Sequence, residues 1–159
     1  MPLPIPSLTH ISAALVAVLL AGAPARAEDI DALPSSVTFV TSTGYWEDAA
    51  EVGTAQSPRK GYYKLVAIRQ ADRTAKIFLQ QIASTDDGPI VVSSVEVEEL
   101  TQLKPFVTDI RPESSSGVTN QPGMFATVYL KTESQAKEAE SWTVMIDDLG
   151  EMIVEKATN

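Results

Sequence analysis

At 159 residues the chain has the length of one domain. Its 21 acidic residues outnumber its 12 basic ones, and removal of a leader whose only charged side chain is Arg26 takes the formal charge from −9 to −10, which argues against nucleic acid as a partner. There is no cysteine, and the single histidine, His10, falls in that leader, so disulfides, thiol chemistry, metal centres built on His or Cys, and any triad needing imidazole are excluded from the mature chain.

The chain opens on an apolar run from Ile11 to Leu20, broken by Gly22 and Pro24 and followed by Ala25-Arg26-Ala27, the small-x-small pattern of a signal-peptidase site. Residues 1–27 therefore read as a cleavable signal peptide. The run is about half of the roughly 20 residues a membrane-spanning helix needs, so an anchor is not expected. Leu20-Ala21-Gly22-Ala23 resembles a bacterial lipoprotein box, but alanine stands where the lipidated cysteine must be, which rules out thioether lipidation. The expected destination is the bacterial periplasm, or secretion otherwise. The remaining 132 residues carry enough Val, Ile, Leu, Phe, Tyr and Trp to build a core without disulfides.

Residues 28–36, with Asp29, Asp31 and Pro34 and no apolar period, read as a flexible lead-in to a single domain over 37–159. From Val37 onward, runs of β-branched and aromatic residues alternate with clusters of Asp, Gly, Pro, Ser or Asn, the pattern of antiparallel strands joined by turns. The runs predict strands at Val37–Trp46, Tyr62–Gln70, Ala75–Ser84, Ile90–Glu98, Phe106–Arg111, Met124–Lys131, Trp142–Asp147 and Met152–Lys156. The expected fold is an all-β antiparallel meander of about eight strands, in a small sandwich or barrel, with an α+β variant carrying one short helix as the alternative. Ala71-Asp72-Arg73-Thr74 and Asp147-Asp148-Leu149-Gly150 each read as the turn of a hairpin, and Asp86-Asp87-Gly88-Pro89 as a turn that starts the next strand at Ile90. Val95–Leu103 carries the helix formers Glu98, Glu99 and Leu100 before Pro105, so it reads as strand or helix. Glu133–Glu140 has helix-forming residues without an apolar face, which suits a helical turn within a loop. Pro112–Gly123, rich in Ser, Gly, Thr, Asn and Gln, reads as an exposed loop, with Glu113, Ser114, Ser115, Ser116 and Asn120 as candidate partner contacts.

Candidate chemistry is sparse. Ser134 and Lys137 are spaced like a Ser-Lys pair, but in a stretch expected to be solvated, where the lysine would keep its ordinary pKa. Glu96 and Glu98 alternate with Val95 and Val97, as a solvated strand face would, and are also the most obvious carboxylate pair for glycan hydrolysis. Asp147, Asp148 and Glu151 surround a glycine turn but lack the spacing of a calcium loop. No metal site, cofactor or catalytic residue is therefore expected.

The aromatic residues form the most suggestive group. Trp46, Tyr63, Phe78, Phe125 and Trp142 either fill the core or line a cavity for a small apolar ligand. Gly44-Tyr45-Trp46 has the Gly-x-Trp form that opens lipocalin-type barrels, and Thr108-Asp109-Ile110 resembles a second lipocalin motif. The resemblance spans six residues, and no late arginine follows Arg111 to meet the tryptophan, so the chain is not assigned to that family.

These readings lead to an exported, non-catalytic envelope protein that works by contact with a protein or envelope polymer, through a sheet face or the 112–123 loop. A small-ligand carrier with an aromatic-lined barrel is the alternative, and a carboxylate-dependent hydrolase of envelope glycans the third reading. An edge strand is also a possible seat for a homodimer.

Overall fold

The alternation of apolar and polar residues from Val37 onward is realised as eight antiparallel strands in a computed structural model, which describes residues 30–49, 57–113 and 122–158. The chain divides after Ala32; on the near side of that division Ile30–Ala32 forms one short 3-10 turn. Beyond it the strands are β1 (Val37–Glu47), β2 (Lys60–Arg69), β3 (Ala75–Thr85) and β4 (Gly88–Glu96), then β5 (Phe106–Pro112), β6 (Met124–Lys131), β7 (Glu140–Ile146) and β8 (Met152–Lys156). They form two four-stranded meanders, β1-β2-β3-β4 and β5-β6-β7-β8. The expected all-β architecture is thus present as a sandwich. The barrel alternative is not, because β4 and β8 share no ladder with each other or with any other described strand on their outer sides.

The two predicted hairpin turns are built from the residues that suggested them. Asp72 accepts bonds from the Thr74 amide at 3.0 Å and the Thr74 hydroxyl at 2.6 Å, while the Gln70 amide donates to the Thr74 carbonyl at 2.8 Å. These bonds hold the Asp72 carboxyl below the usual carboxylate range. Asp147 likewise accepts from the amides of Leu149 and Glu151, at 2.9 and 2.8 Å.

Two expectations need correction. β4 starts at Gly88 instead of Ile90, because Asp86-Asp87 alone forms the turn and Thr85 pairs with Gly88. Pro89 follows opposite Ser84, a position where its missing N–H faces the free edge of the sheet and costs no ladder bond. Val95–Leu103 is strand only to Glu96. The four-residue helix α1 (Glu98–Thr101) follows; Val95 and Val97 keep the same inward phase, opposite Leu79 and Ile77, but Val95 lies at the open margin and is exposed whereas Val97 is buried. Glu133–Glu140 holds, as expected, a single turn in the β6–β7 connection, with an Ala136 amide to Glu133 carbonyl bond of 3.1 Å.

The core lies between the sheets. Leu65, Ala67, Ile77 and Leu79 project from β2 and β3, and Ala126, Val128, Leu130, Val144 and Ile146 from β6 and β7. Val97 and Leu100 close one end. They are held there by the Val97 amide on the Ile77 carbonyl at 2.8 Å and by the Ile77 amide on the Thr101 hydroxyl at 3.1 Å. Each large aliphatic side chain buried in this way contributes on the order of 1.5–3 kcal/mol.

One side of the sandwich is stitched shut. An extra residue in β1 between Thr43 and Trp46 bulges the strand, and Tyr45 exchanges two backbone bonds with Gly123, at 2.9 and 2.8 Å, that tie the first sheet to the second. Gly44 makes this possible with φ +75°, and a Cβ there would lie 2.4 Å from the Gly123 carbonyl oxygen. The bulge also turns Trp46 into the core. Its indole N–H donates to the Ile82 carbonyl at 3.0 Å and approaches the Tyr62 carbonyl at 3.3 Å, beside Gly61, where a Cβ would lie 1.8 Å from the Ile82 oxygen.

Candidate functional site

The opposite side of the sandwich, between β4 and β8, is open. β8 is guarded as edge strands usually are: it is five residues long, ends in exposed Glu155 and Lys156, and Lys156 pairs with Glu140 at 3.0 Å. β4 differs. Along nine residues its only charged side chain is Glu96, and Ile90, Val91 and Val95 are 53, 56 and 47% exposed. Pro89 and a bulge at Val92 protect its first half, but nothing comparable among the described residues protects Ser93–Glu96. The Val97–Ile77 bond sets the phase of that half. Ser93 and Val95 turn their backbone groups toward β3, whereas Ser94 and Glu96 turn an N–H and a C=O each toward the open edge.

Beneath this edge lies a half-open groove of about 250 Å³. The inner face of the first sheet supplies Tyr63, Leu79, Gln81, Ser93 and Val95, and the β7–β8 hairpin supplies Ile146, Gly150 and Met152. Register explains the set: Tyr63, Gln81 and Ser93 stand opposite one another across β2, β3 and β4, as Leu65, Leu79 and Val95 do one step along. No charged side chain among the described residues lines the groove. Its polar atoms are the Ser93 hydroxyl, which donates to the Gln81 side-chain Oε1 at 3.4 Å, the Gln81 side-chain amide and the Tyr63 hydroxyl. Tyr63 is 8% exposed, its hydroxyl has no hydrogen-bond partner among the described residues, and burial raises its pKa above the ordinary tyrosine range. No side-chain polar atom among the described residues is both buried and unpaired, so this hydroxyl meets solvent in the groove and is open to a partner from outside.

Carboxylates neighbour the groove residues in sequence, and none of them lines the groove. Glu96, Glu98 and Glu99 follow Val95, and Asp147, Asp148 and Glu151 form the turn whose Gly150 is the opposite lip. Between Asp86 and Glu99 there is no Lys or Arg in the sequence, and Glu96 is paired across the sheet with Lys76 at 3.4 Å.

The five aromatic residues singled out in the sequence are not brought together. Trp46 and Tyr63 point into the sandwich, and only Tyr63 reaches the groove. Trp142 packs on the margin of the core, its indole 3.4 Å from Glu140. Phe78 stands between Val66 and Glu96 on the outer face of the first sheet, and Phe125 between Met145 and the exposed side of β6 on the outer face of the second. Alternation on two sheets places these phenylalanines on opposite outer surfaces of the molecule. Among the candidate loop contacts, Glu113 accepts a bond from the Thr127 hydroxyl, and Ser114, Ser115, Ser116 and Asn120 lie outside the described residues. Glu96 and Glu98 belong to different elements, Glu96 on β4 and Glu98 on α1. Ser134 and Lys137 are both exposed.

Of the groove residues, sequence reasoning named only Tyr63 and missed Leu79, Gln81, Ser93, Val95, Ile146, Gly150 and Met152. One signal was legible: in β3 the inward phase runs Ile77, Leu79, Gln81, Ala83, so that a glutamine occupies a core register. No helix among the described residues is long and apolar enough to cross a membrane. No family model, curated protein or solved structure matches the chain.

Proposed function

We propose that the chain is an exported, non-catalytic contact module that binds an extended segment of a partner polypeptide along the free edge of β4. The observation carrying this reading is the unguarded half-strand Ser93–Glu96, where outward backbone groups, exposed Val95 and the groove beneath them coincide. An added strand would pair with Ser94 and Glu96 and set alternate side chains over the groove, which is the physics of recognition by strand addition. The leader ending at Ala27 supports export to the periplasm and a mature chain starting at Glu28. The groove is smaller than the roughly 300–1,000 Å³ typical of small-molecule pockets, which favours contact over carriage of a ligand.

Photo-crosslinking in the native host tests this. A photoreactive residue at position 95 is expected to yield an adduct with a polypeptide, one at exposed Thr132 is not, and Ser94→Pro, which removes an outward N–H that β3 does not use, is expected to abolish the adduct. Adducts of equal yield from both positions, or an adduct indifferent to Ser94→Pro, would overturn the reading. An adduct of twice the mass of the chain identifies the partner as a second copy.

A further inference from the structure

Resting on the strand-addition reading, the geometry points to the chemistry of the partner: a cationic extended segment, with Lys or Arg at its ends, that seats one large uncharged side chain in the groove. Two independent features lead there. The first is charge. A segment lying beside Ser93–Glu96 would have Glu96, Glu98 and Glu99 at one end, and the Asp147, Asp148 and Glu151 turn across the groove. Among the described residues Lys76 is the only cation paired with any of these, on Glu96 at 3.4 Å, and the whole chain is acidic by −9. Glutamate or aspartate in the partner would meet carboxylates on both sides, whereas lysine or arginine would be attracted and its approach accelerated.

The second feature is the seat itself. Leu79, Val95, Ile146 and Met152 form apolar walls, so a charged side chain would lose its hydration with no counter-ion inside. The Tyr63 hydroxyl, on a residue that is 8% exposed, and the Gln81 amide have no partners of their own donors among the described residues. A side chain with an apolar body and a polar tip satisfies both walls and donors. At about 250 Å³ the groove matches one large residue, and tyrosine has that combination of shape and chemistry.

The test uses the mature chain and four synthetic seven-residue peptides of alternating Thr and Val, blocked at both ends. Two carry lysine at each end, with tyrosine or glutamate at the centre; two carry glutamate at each end with the same centres. Binding is followed by fluorescence polarisation and by amide shifts in isotope-labelled protein. The lysine-flanked tyrosine peptide is expected to bind at least about tenfold more tightly than either glutamate-flanked peptide in low salt, the margin shrinking as salt screens the charges. Tyr63→Phe is expected to weaken that peptide by roughly 3- to 10-fold, the effect of one hydrogen bond. Asp148→Lys with Glu151→Lys, both exposed, is expected to erase the flank preference while leaving the fold intact.

Equal binding of all four peptides, with shifts at Ser94 and Glu96, would overturn the charge-and-seat inference and leave strand addition standing. Binding of none of them, by a protein whose thermal melt shows it folded, would overturn both.

Discussion

The two sides of this sandwich are made from similar strands and reach opposite ends. On the β1 side a bulge, a left-handed Gly44 and a pair of backbone bonds between Tyr45 and Gly123 join the sheets, and Trp46 is driven 96% out of solvent behind the seam. On the β4 side no described backbone bond links the sheets, and Val95 and Ile90 are left about half exposed above a groove. The difference shows what joins sheets in a small cysteine-free domain. Closure depends on local backbone devices that bring polar main-chain groups into register, while apolar surface alone leaves a side open to whatever else can supply a strand.

Changes on the closed side should therefore cost stability and changes on the open side should cost binding. The largest effect is expected from Gly61→Ala. Its methyl would meet the Ile82 carbonyl oxygen at 1.8 Å, so β2 and β3 must separate beneath Trp46, at a cost of about 3 kcal/mol or more measured by urea denaturation. Gly44→Ala comes next: positive φ combined with a 2.4 Å approach to Gly123 should cost roughly 2–3 kcal/mol and raise hydrogen exchange at the Tyr45 and Gly123 amides. Trp46→Phe keeps most of the packing but removes the indole donor from the Ile82 carbonyl, with an expected loss of about 1–2 kcal/mol. A loss of less than 0.5 kcal/mol for Gly61→Ala, within the range of ordinary surface changes, would break the comparison at its strongest point.

The open side should be the reverse. Val95→Lys is expected to change stability by no more than about 0.5 kcal/mol, because the residue is 47% exposed, and to abolish capture of any added strand. A large loss of stability would mean that the groove belongs to the core.

The smallest expected effect is on pH dependence. Bonds from Thr74 depress Asp72, and bonds from Lys156 and Trp142 depress Glu140. A carboxyl depressed in the folded state contributes stability that is complete above its unfolded pKa, near 4, and is lost as pH falls through its lower folded value. Thermal melts should thus decline below about pH 4, and Asp72→Asn should flatten that decline slightly without touching the open side.

Much of this molecule was legible before its structure. The Ala71–Thr74 and Asp147–Gly150 turns are local chemistry, in which Asp side chains bond amides two to four residues on, and they fall where composition placed them. Strand identity followed from period and β-branched content, and bounds such as Met124–Lys131 and Met152–Lys156 coincide with the expectation. The end of β4 was harder to read. Val95, Glu96, Val97 and Glu98 alternate perfectly, yet the chain leaves the strand after Glu96 and turns into α1, which brings Leu100 into the core beside Val97. The aromatic cluster was misleading for a related reason: residue type marks burial, but the face on which an aromatic residue stands depends on register, which separates Phe78 and Phe125 from Trp46 and Tyr63.

By itself, then, the sequence determined the eight strands, their turns, an all-β fold and a chain without thiol, because each of these depends on interactions within a few residues or on composition alone. Only the tertiary structure decided that the sheets join at β1 and part at β4, and that Tyr63, Gln81 and Val95, more than 10 residues apart from one another, line one groove with Met152. The physical reason is that pairing register and the contact between sheets arise from long-range backbone bonds, which no local pattern of residues encodes.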